Sequence, residues 1–166
     1  CLRPMSSSIN FKNILVVGVG LIGGSIIRAL KESSFSDGVY GMDSDKKAVT
    51  SAYDLGFIQN KDTNISKDLD DLLVIFSVPV LSFQEAMSQI NIMINTENVI
   101  YTDTLSVKSS ILNTLKTLDR TFLERFVLSH PIAGSEQSGF KASSATLFKK
   151  KLSIICPHED NSEIDI

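Results

Sequence analysis

Asn13 to Gly18 reads NILVVG and runs without a break into GVGLIGGS, and no other stretch limits the possible folds so sharply. A short, β-branched, almost wholly apolar run closed by glycine is the pattern of a strand buried on both faces of a parallel sheet. Leu21 to Lys31 then carries small and apolar residues at helical spacing, and Gly38 to Met42 (GVYGM) reads as a second strand ending at Asp43. The pattern continues with a helix over about Asp45 to Asp54, a strand from Leu72 to Val78 and a helix from about Leu81 to Ile94. Val99 to Asp103 reads as strand, Val107 to Leu118 as helix, and Phe126 to Ser129 and Leu152 to Cys156 as strands. Strands alternating with helices over the whole length predict the α/β class: a doubly wound parallel sheet of Rossmann type, with helices on both faces in three α/β/α layers.

Gly18, Gly20 and Gly23 stand as G-x-G-x-x-G between the expected strand and helix. In such a junction one glycine turns tightly, one admits a pyrophosphate and one lets the helix approach the strand. The phosphates would sit on the first helical turn, beside Leu21 and Ile22, where unpaired N–H groups and the helix dipole stabilise an anion without a lysine. Ordinary tight turns use the same residues, so the triplet alone is weak. Asp43 lies 20 residues beyond Gly23, where its carboxylate can accept hydrogen bonds from adenosine ribose hydroxyls. The same charge repels a 2′-phosphate, so NAD is expected over NADP, with Lys46 and Lys47 softening the preference. Ser77 and Pro79 end the third strand and are expected to line the cofactor, although Pro79 could equally begin the next helix.

Of the two histidines, His158 lies among acidic residues and is expected to be solvated. His130 follows FVLS and opens HPIAGSE, at the carboxyl end of a strand, where open α/β sheets bind ligands. Position alone leaves open a purely structural imidazole. Asp103, Ser106 and Lys108 in TDTLSVK bring a carboxylate, a hydroxyl and an ammonium to the same crevice. A serine hydrolase is disfavoured because the G-x-S-x-G elbow is missing.

Taken together, GVGLIGGS, the acid of GMDSD, SVPV, TDTLSVK and HPIAGSEQSG resemble, in this order, the prephenate dehydrogenases, over roughly Asn13 to Pro157. The resemblance implies NAD-dependent oxidative decarboxylation of prephenate to 4-hydroxyphenylpyruvate, on the route to tyrosine. It implies that His130 is the catalytic group bonding the ring hydroxyl, that Ser106 orients it, and that Ser106, Ser135 and Glu136 join it around the substrate. Leu105 departs from the pattern, since the family carries a small residue before the serine; its bulk could shift Ser106 or tighten the nicotinamide pocket. The family also has a helical C-terminal domain that forms a homodimer and supplies an arginine for the substrate carboxylate, and this domain is expected to be absent here. None of Arg3, Arg28, Arg120 and Arg125 falls in a crevice-facing motif. Arogenate dehydrogenase, a non-catalytic NAD-binding module and another dehydrogenase of the same superfamily, such as a β-hydroxyacid enzyme, are the alternatives.

Composition sets the remaining bounds. At 166 residues and 43% hydrophobic, the chain can hold one core, placed over residues 13–157. Residues 1–12 read as a disordered or appended N-terminus and 158–166 as a polar tail leading to the further domain. Sixteen basic against nineteen acidic residues, a net charge of -3, give no broad attraction for nucleic acid or an anionic membrane. Cys1 and Cys156 have neither metal-ligand spacing nor a disulfide framework, so no metal is expected and a cytoplasmic setting fits. No apolar run is long enough to span a bilayer.

Overall fold

The computed structural model describes residues 11–33, 35, 38–63, 65–67, 69–94, 99–134 and 136–161. Ser135, Arg3, Cys1 and the N-terminal segment up to residue 10 lie outside them, as does the end of the tail, 162–166. The elements are β1 (Asn13–Val17), α1 (Leu21–Glu32), β2 (Gly38–Met42), α2 (Lys46–Asp54), β3 (Leu72–Phe76), α3 (Phe83–Met93), β4 (Val99–Asp103), α4 (Lys108–Leu115), α5 (Arg120–Glu124), β5 (Phe126–Pro131) and β6 (Ser153–Cys156). Single 3₁₀ turns occupy Val80–Ser82 and Phe140–Ala142.

One sheet runs in the order β2-β1-β3-β4-β5-β6. Alternation along β1 splits the core in two. Leu15 and Val17 face a layer with Phe83, Met87 and Ile90 of α3 and Ile111 and Leu115 of α4. Ile14 and Val16 face Ile27 of α1 and Val49 and Ala52 of α2. A strand with both faces covered has no polar side to show, which is why NILVV does not alternate. Phe76, Phe83 and Phe126 meet in the first layer at ring separations of 5.3 to 5.9 Å. Burying each such ring stabilises the fold by about 1.5–3 kcal/mol.

Strands β1 to β5 are parallel as expected, but β6 is antiparallel to β5. The reason lies in the connection. A parallel return needs a crossover that carries the chain to the other end of the sheet, and among the described residues the chain between β5 and β6 carries only one 3₁₀ turn. It packs over α1 instead, with Arg28 Nε donating to Ser143 Oγ at 2.7 Å and the Arg28 guanidinium 4.5 and 4.7 Å from the rings of Phe57 and Phe140. The chain then comes back to the edge it left, where Ile132 N–H bonds the Leu152 carbonyl at 2.8 Å.

The expected solvation of His158 is also overturned. Its side chain is only 9% exposed, with Nε2 3.0 Å from the Phe126 carbonyl. The antiparallel β6 delivers the tail to the start of β5, and residues 158–161 form a turn there. Asn161 Oδ1 accepts from the His158 N–H and Asn161 Nδ2 donates to the same Phe126 carbonyl, each at 3.0 Å. No helix among the described residues is long and apolar enough to cross a membrane.

Candidate active site

The three glycines divide their work as their surroundings require. Gly18 sits at φ +98°, and a Cβ there would lie 2.6 Å from the Ser77 carbonyl oxygen. A Cβ on Gly23 would lie 1.9 Å from the Gly18 oxygen. These two positions let β1, β3 and α1 converge. A Cβ on Gly20 would meet nothing within 4 Å, so it would enter the open space in front of the first turn of α1. That is the fit a pyrophosphate needs, with the N–H groups at Leu21 and Ile22 facing no capping side chain. The adjoining Gly24 has another purpose. A Cβ there would strike Phe140 at 2.8 Å and Ser143 at 2.9 Å, so this glycine admits the chain that follows β5.

Asp43 closes the other side of the turn. Its Oδ2 accepts the Val19 N–H at 2.6 Å and its Oδ1 the Asp45 N–H at 2.8 Å. Oδ1 also accepts the Ser44 hydroxyl at 3.5 Å, so Oδ2 is the oxygen that keeps lone-pair capacity for a ribose hydroxyl while the residue braces the loop. Gly18, Gly20, Asp43, Ser77 and Pro79 line one cavity of about 330 Å³. Pro79 serves in both expected ways, since its carbonyl also accepts the Ser82 N–H that starts the 3₁₀ turn. Glu85 and Gln89 of α3 line the same cavity and were not anticipated. A larger hollow of about 640 Å³, bounded by Lys46, Lys47 and Lys141, touches neither the glycine turn nor His130.

His130 is the fifth residue of β5, half-buried, with Nδ1 3.4 Å from the Thr104 carbonyl. A carbonyl can only accept, so this contact places a hydrogen on Nδ1, and of the two neutral tautomers it favours the one whose Nε2 carries the lone pair. Thr104 is the residue that sequence reasoning passed over. Its N–H bonds the Phe76 carbonyl at 2.9 Å and its hydroxyl lies 3.2 Å from Ser77 Oγ, so it ties the end of β3 to the histidine. Its only sequence signal was its place directly after β4. Ser106 is exposed, and among the described residues no hydrogen bond joins it to the imidazole. Leu105 does not crowd the crevice. Its side chain is 6% exposed and belongs to the core layer under α3 and α4.

Asp103 is fully buried. It accepts hydrogen bonds from the Lys108 ammonium, from the Leu105 N–H at 2.9 Å and from the Ser129 N–H at 3.2 Å. Burial pushes its carboxyl above the usual range, with Lys108 and the two N–H groups pulling the other way. Lys108 also donates to the Ser129 carbonyl. Glu136 is exposed on the chain leaving β5. Among the arginines, Arg28 lies over the rings of Phe57 and Phe140, Arg120 pairs with Glu124 at 2.8 Å, and Arg125 precedes β5 at the end opposite His130.

A parallel sheet whose first strand ends in this glycine turn, with an acid closing the turn from β2, defines a nucleotide-binding domain of the Rossmann class. A family model described as "Prephenate dehydrogenase, nucleotide-binding domain" matches residues 26–166, and the chain belongs to that family. The match includes Asp43, Ser106 and His130 and begins just past the glycine turn, which therefore rests on its own geometry. The chain is 29% identical to the prephenate dehydrogenase of Lactococcus lactis over 154 residues, covering 92% of this chain and 42% of that protein. It is 32% identical to the cyclohexadienyl dehydrogenase of Zymomonas mobilis, covering 89% of this chain and 50% of that protein. The chain thus spans about half the length, or less, of these relatives. Its fold matches the prephenate dehydrogenase of A. aeolicus, solved with hydroxyphenyl propionate and NAD+, at a TM-score of 0.82 and 31% identity over 96% of this chain and 55% of that one.

Proposed function

We propose that this chain is the cofactor-binding half of an NAD-dependent prephenate dehydrogenase, forming 4-hydroxyphenylpyruvate and carbon dioxide on the route to tyrosine. The observation that carries the reading is a phosphate-ready glycine turn whose cavity includes Ser77, with Ser77 tied through Thr104 to His130 at the end of β5. The A. aeolicus enzyme solved with NAD+ supports the choice of cofactor. Gly20 and the first turn of α1 would hold the pyrophosphate, Asp43 the adenosine ribose, and Ser77 and Pro79 the chain of the dinucleotide where it crosses β3.

When bound, the nicotinamide supplies the hydride acceptor. His130 accepts a hydrogen bond from the ring hydroxyl at Nε2 and takes its proton as hydride leaves the same carbon. The bond to the ring carboxylate breaks, its electron pair enters the ring and ends on the ring oxygen, the proton returns to that oxygen from His130, and aromatisation drives the step. Ser106, exposed between β4 and α4, and Glu136, exposed after β5, would join His130 around the substrate, as would Ser135. With every described arginine engaged elsewhere, the bidentate partner for a substrate carboxylate comes from outside this chain, from a domain that also forms the dimer.

The 32%-identical cyclohexadienyl dehydrogenase supports a second substrate, arogenate, which differs from prephenate by an amino group on the side chain. An NADH-absorbance assay of the full-length protein with each compound decides between them. Turnover of prephenate with NAD+ supports the proposal, preference for arogenate moves the substrate, and no turnover of either overturns it.

A further inference from the structure

Building on the assignment of His130 as the base, we propose that the buried Asp103–Lys108 pair is a positioning device for that histidine, and that Lys108 is not a substrate anchor. The ladder between β4 and β5 stops early. Its rungs are Tyr101↔Phe126 and Thr102↔Val127, and His130 lies three residues farther on. Past the last rung, side chains take over the work of the ladder. Asp103 receives the Ser129 N–H, Ser129 Oγ donates to the Asp103 carbonyl at 2.6 Å, and Lys108 joins the Asp103 carboxylate to the Ser129 carbonyl. Both peptide groups of the residue before His130 are thereby held from the β4 side.

On its other side His130 has only β6, an edge strand whose Ile154 and Ile155 are 42% and 58% exposed. Lys108 is also the first residue of α4, so the pair fixes the strand ends to a helix. Stability is a poor reason for such a pair, because desolvating two charges offsets most of their attraction. Geometry is the better one. An anchor for an incoming anion would present its N–H groups to solvent, whereas two of the three Lys108 N–H groups serve internal acceptors and its side chain is only 18% exposed.

The test is steady-state kinetics on the full-length enzyme with the double variant Asp103→Asn/Lys108→Met, which leaves no lone buried charge, and with Lys108→Arg. We expect the double variant to fold, to bind NAD within about twofold of wild type, and to lose kcat by roughly 10- to 100-fold with KM for prephenate within about threefold. Lys108→Arg, which can reach both acceptors, should recover kcat to within about fivefold. A double variant with wild-type kcat overturns the proposal, as does one that fails to fold, which would make the pair a stability element. A tenfold or greater rise in KM with kcat unchanged would instead make Lys108 an anchor. His130→Asn is assayed in parallel. If it too retains wild-type kcat, the assignment of the base has failed; if it alone is impaired, only the positioning role has.

Discussion

At the end of β1 the structure depends on the absence of side-chain atoms, while at the ends of β4 and β5 it depends on polar side chains packed around one buried carboxylate. A methyl group at Gly18 or Gly23 would overlap backbone, and at Gly20 it would occupy the space a phosphate needs. Around Asp103 the contacts are hydrogen bonds from Lys108, Leu105 and Ser129. Added bulk harms the first region, and lost polarity harms the second. A nucleotide phosphate is gripped by backbone N–H groups, which need close approach, whereas a proton acceptor must be held at one angle, which needs a braced side chain.

The sharpest way to break this contrast is Gly23→Ala. With the added carbon 1.9 Å from the Gly18 oxygen, we expect the folded protein to be lost, or NAD affinity to fall more than about 100-fold. Gly20→Ala should separate space from folding. Melting should stay within a few degrees of wild type while calorimetric NAD affinity drops by roughly 10- to 100-fold, because only the phosphate meets the new methyl. Equal effects of the two substitutions would erase the distinction between turn-forming and phosphate-facing glycines.

Asp43→Asn sharpens the same region at smaller scale. The amide oxygen can still accept the Val19 N–H, so the loop should persist while the charge is lost. NAD should weaken by about tenfold, about 1.4 kcal/mol, and NADP by less, narrowing the preference. Unchanged affinity for both cofactors would remove Asp43 from the ribose. The smallest effect belongs to Tyr101, 1% exposed, whose hydroxyl has no partner among the described residues and whose ionisation burial pushes far up. Tyr101→Phe should be neutral or raise stability by about 1 kcal/mol in urea titration, since an unpaired buried hydroxyl only costs. Clear destabilisation would reveal a polar contact there.

Much of this was legible in the sequence because it was written in backbone requirements. Strand β1 followed by G-x-G-x-x-G, and an acid after β2, specify a turn whatever surrounds it, and the strand–helix alternation specified three layers. The direction of β6 was not legible, because it depends on where the chain between Ile132 and Leu152 travels, and that path is set by Gly24 and Arg28 on a distant helix. Helix α5 was missed for its shortness: five residues capped by Asp119, whose side chain accepts the Thr121 N–H at 2.8 Å. His158 misled because its charged neighbours suggested solvent, whereas a carbonyl 32 positions away claims it. At the ends of β4 and β5, His130 could be placed from the end of its strand, but Thr104 could not, since its role comes from contacts with Phe76 and Ser77 and leaves no periodicity or spacing to read.

The most direct test of the central assignment is the turnover of His130→Asn in the full-length enzyme, measured with prephenate and NAD+ beside calorimetric NAD binding. A loss in kcat of roughly 10²- to 10⁴-fold with NAD affinity within about twofold is the result expected of a positioned proton acceptor that takes no part in holding the cofactor. Turnover within a few-fold of wild type would show that the imidazole serves only the structure of β5, and that the proton leaves by another route.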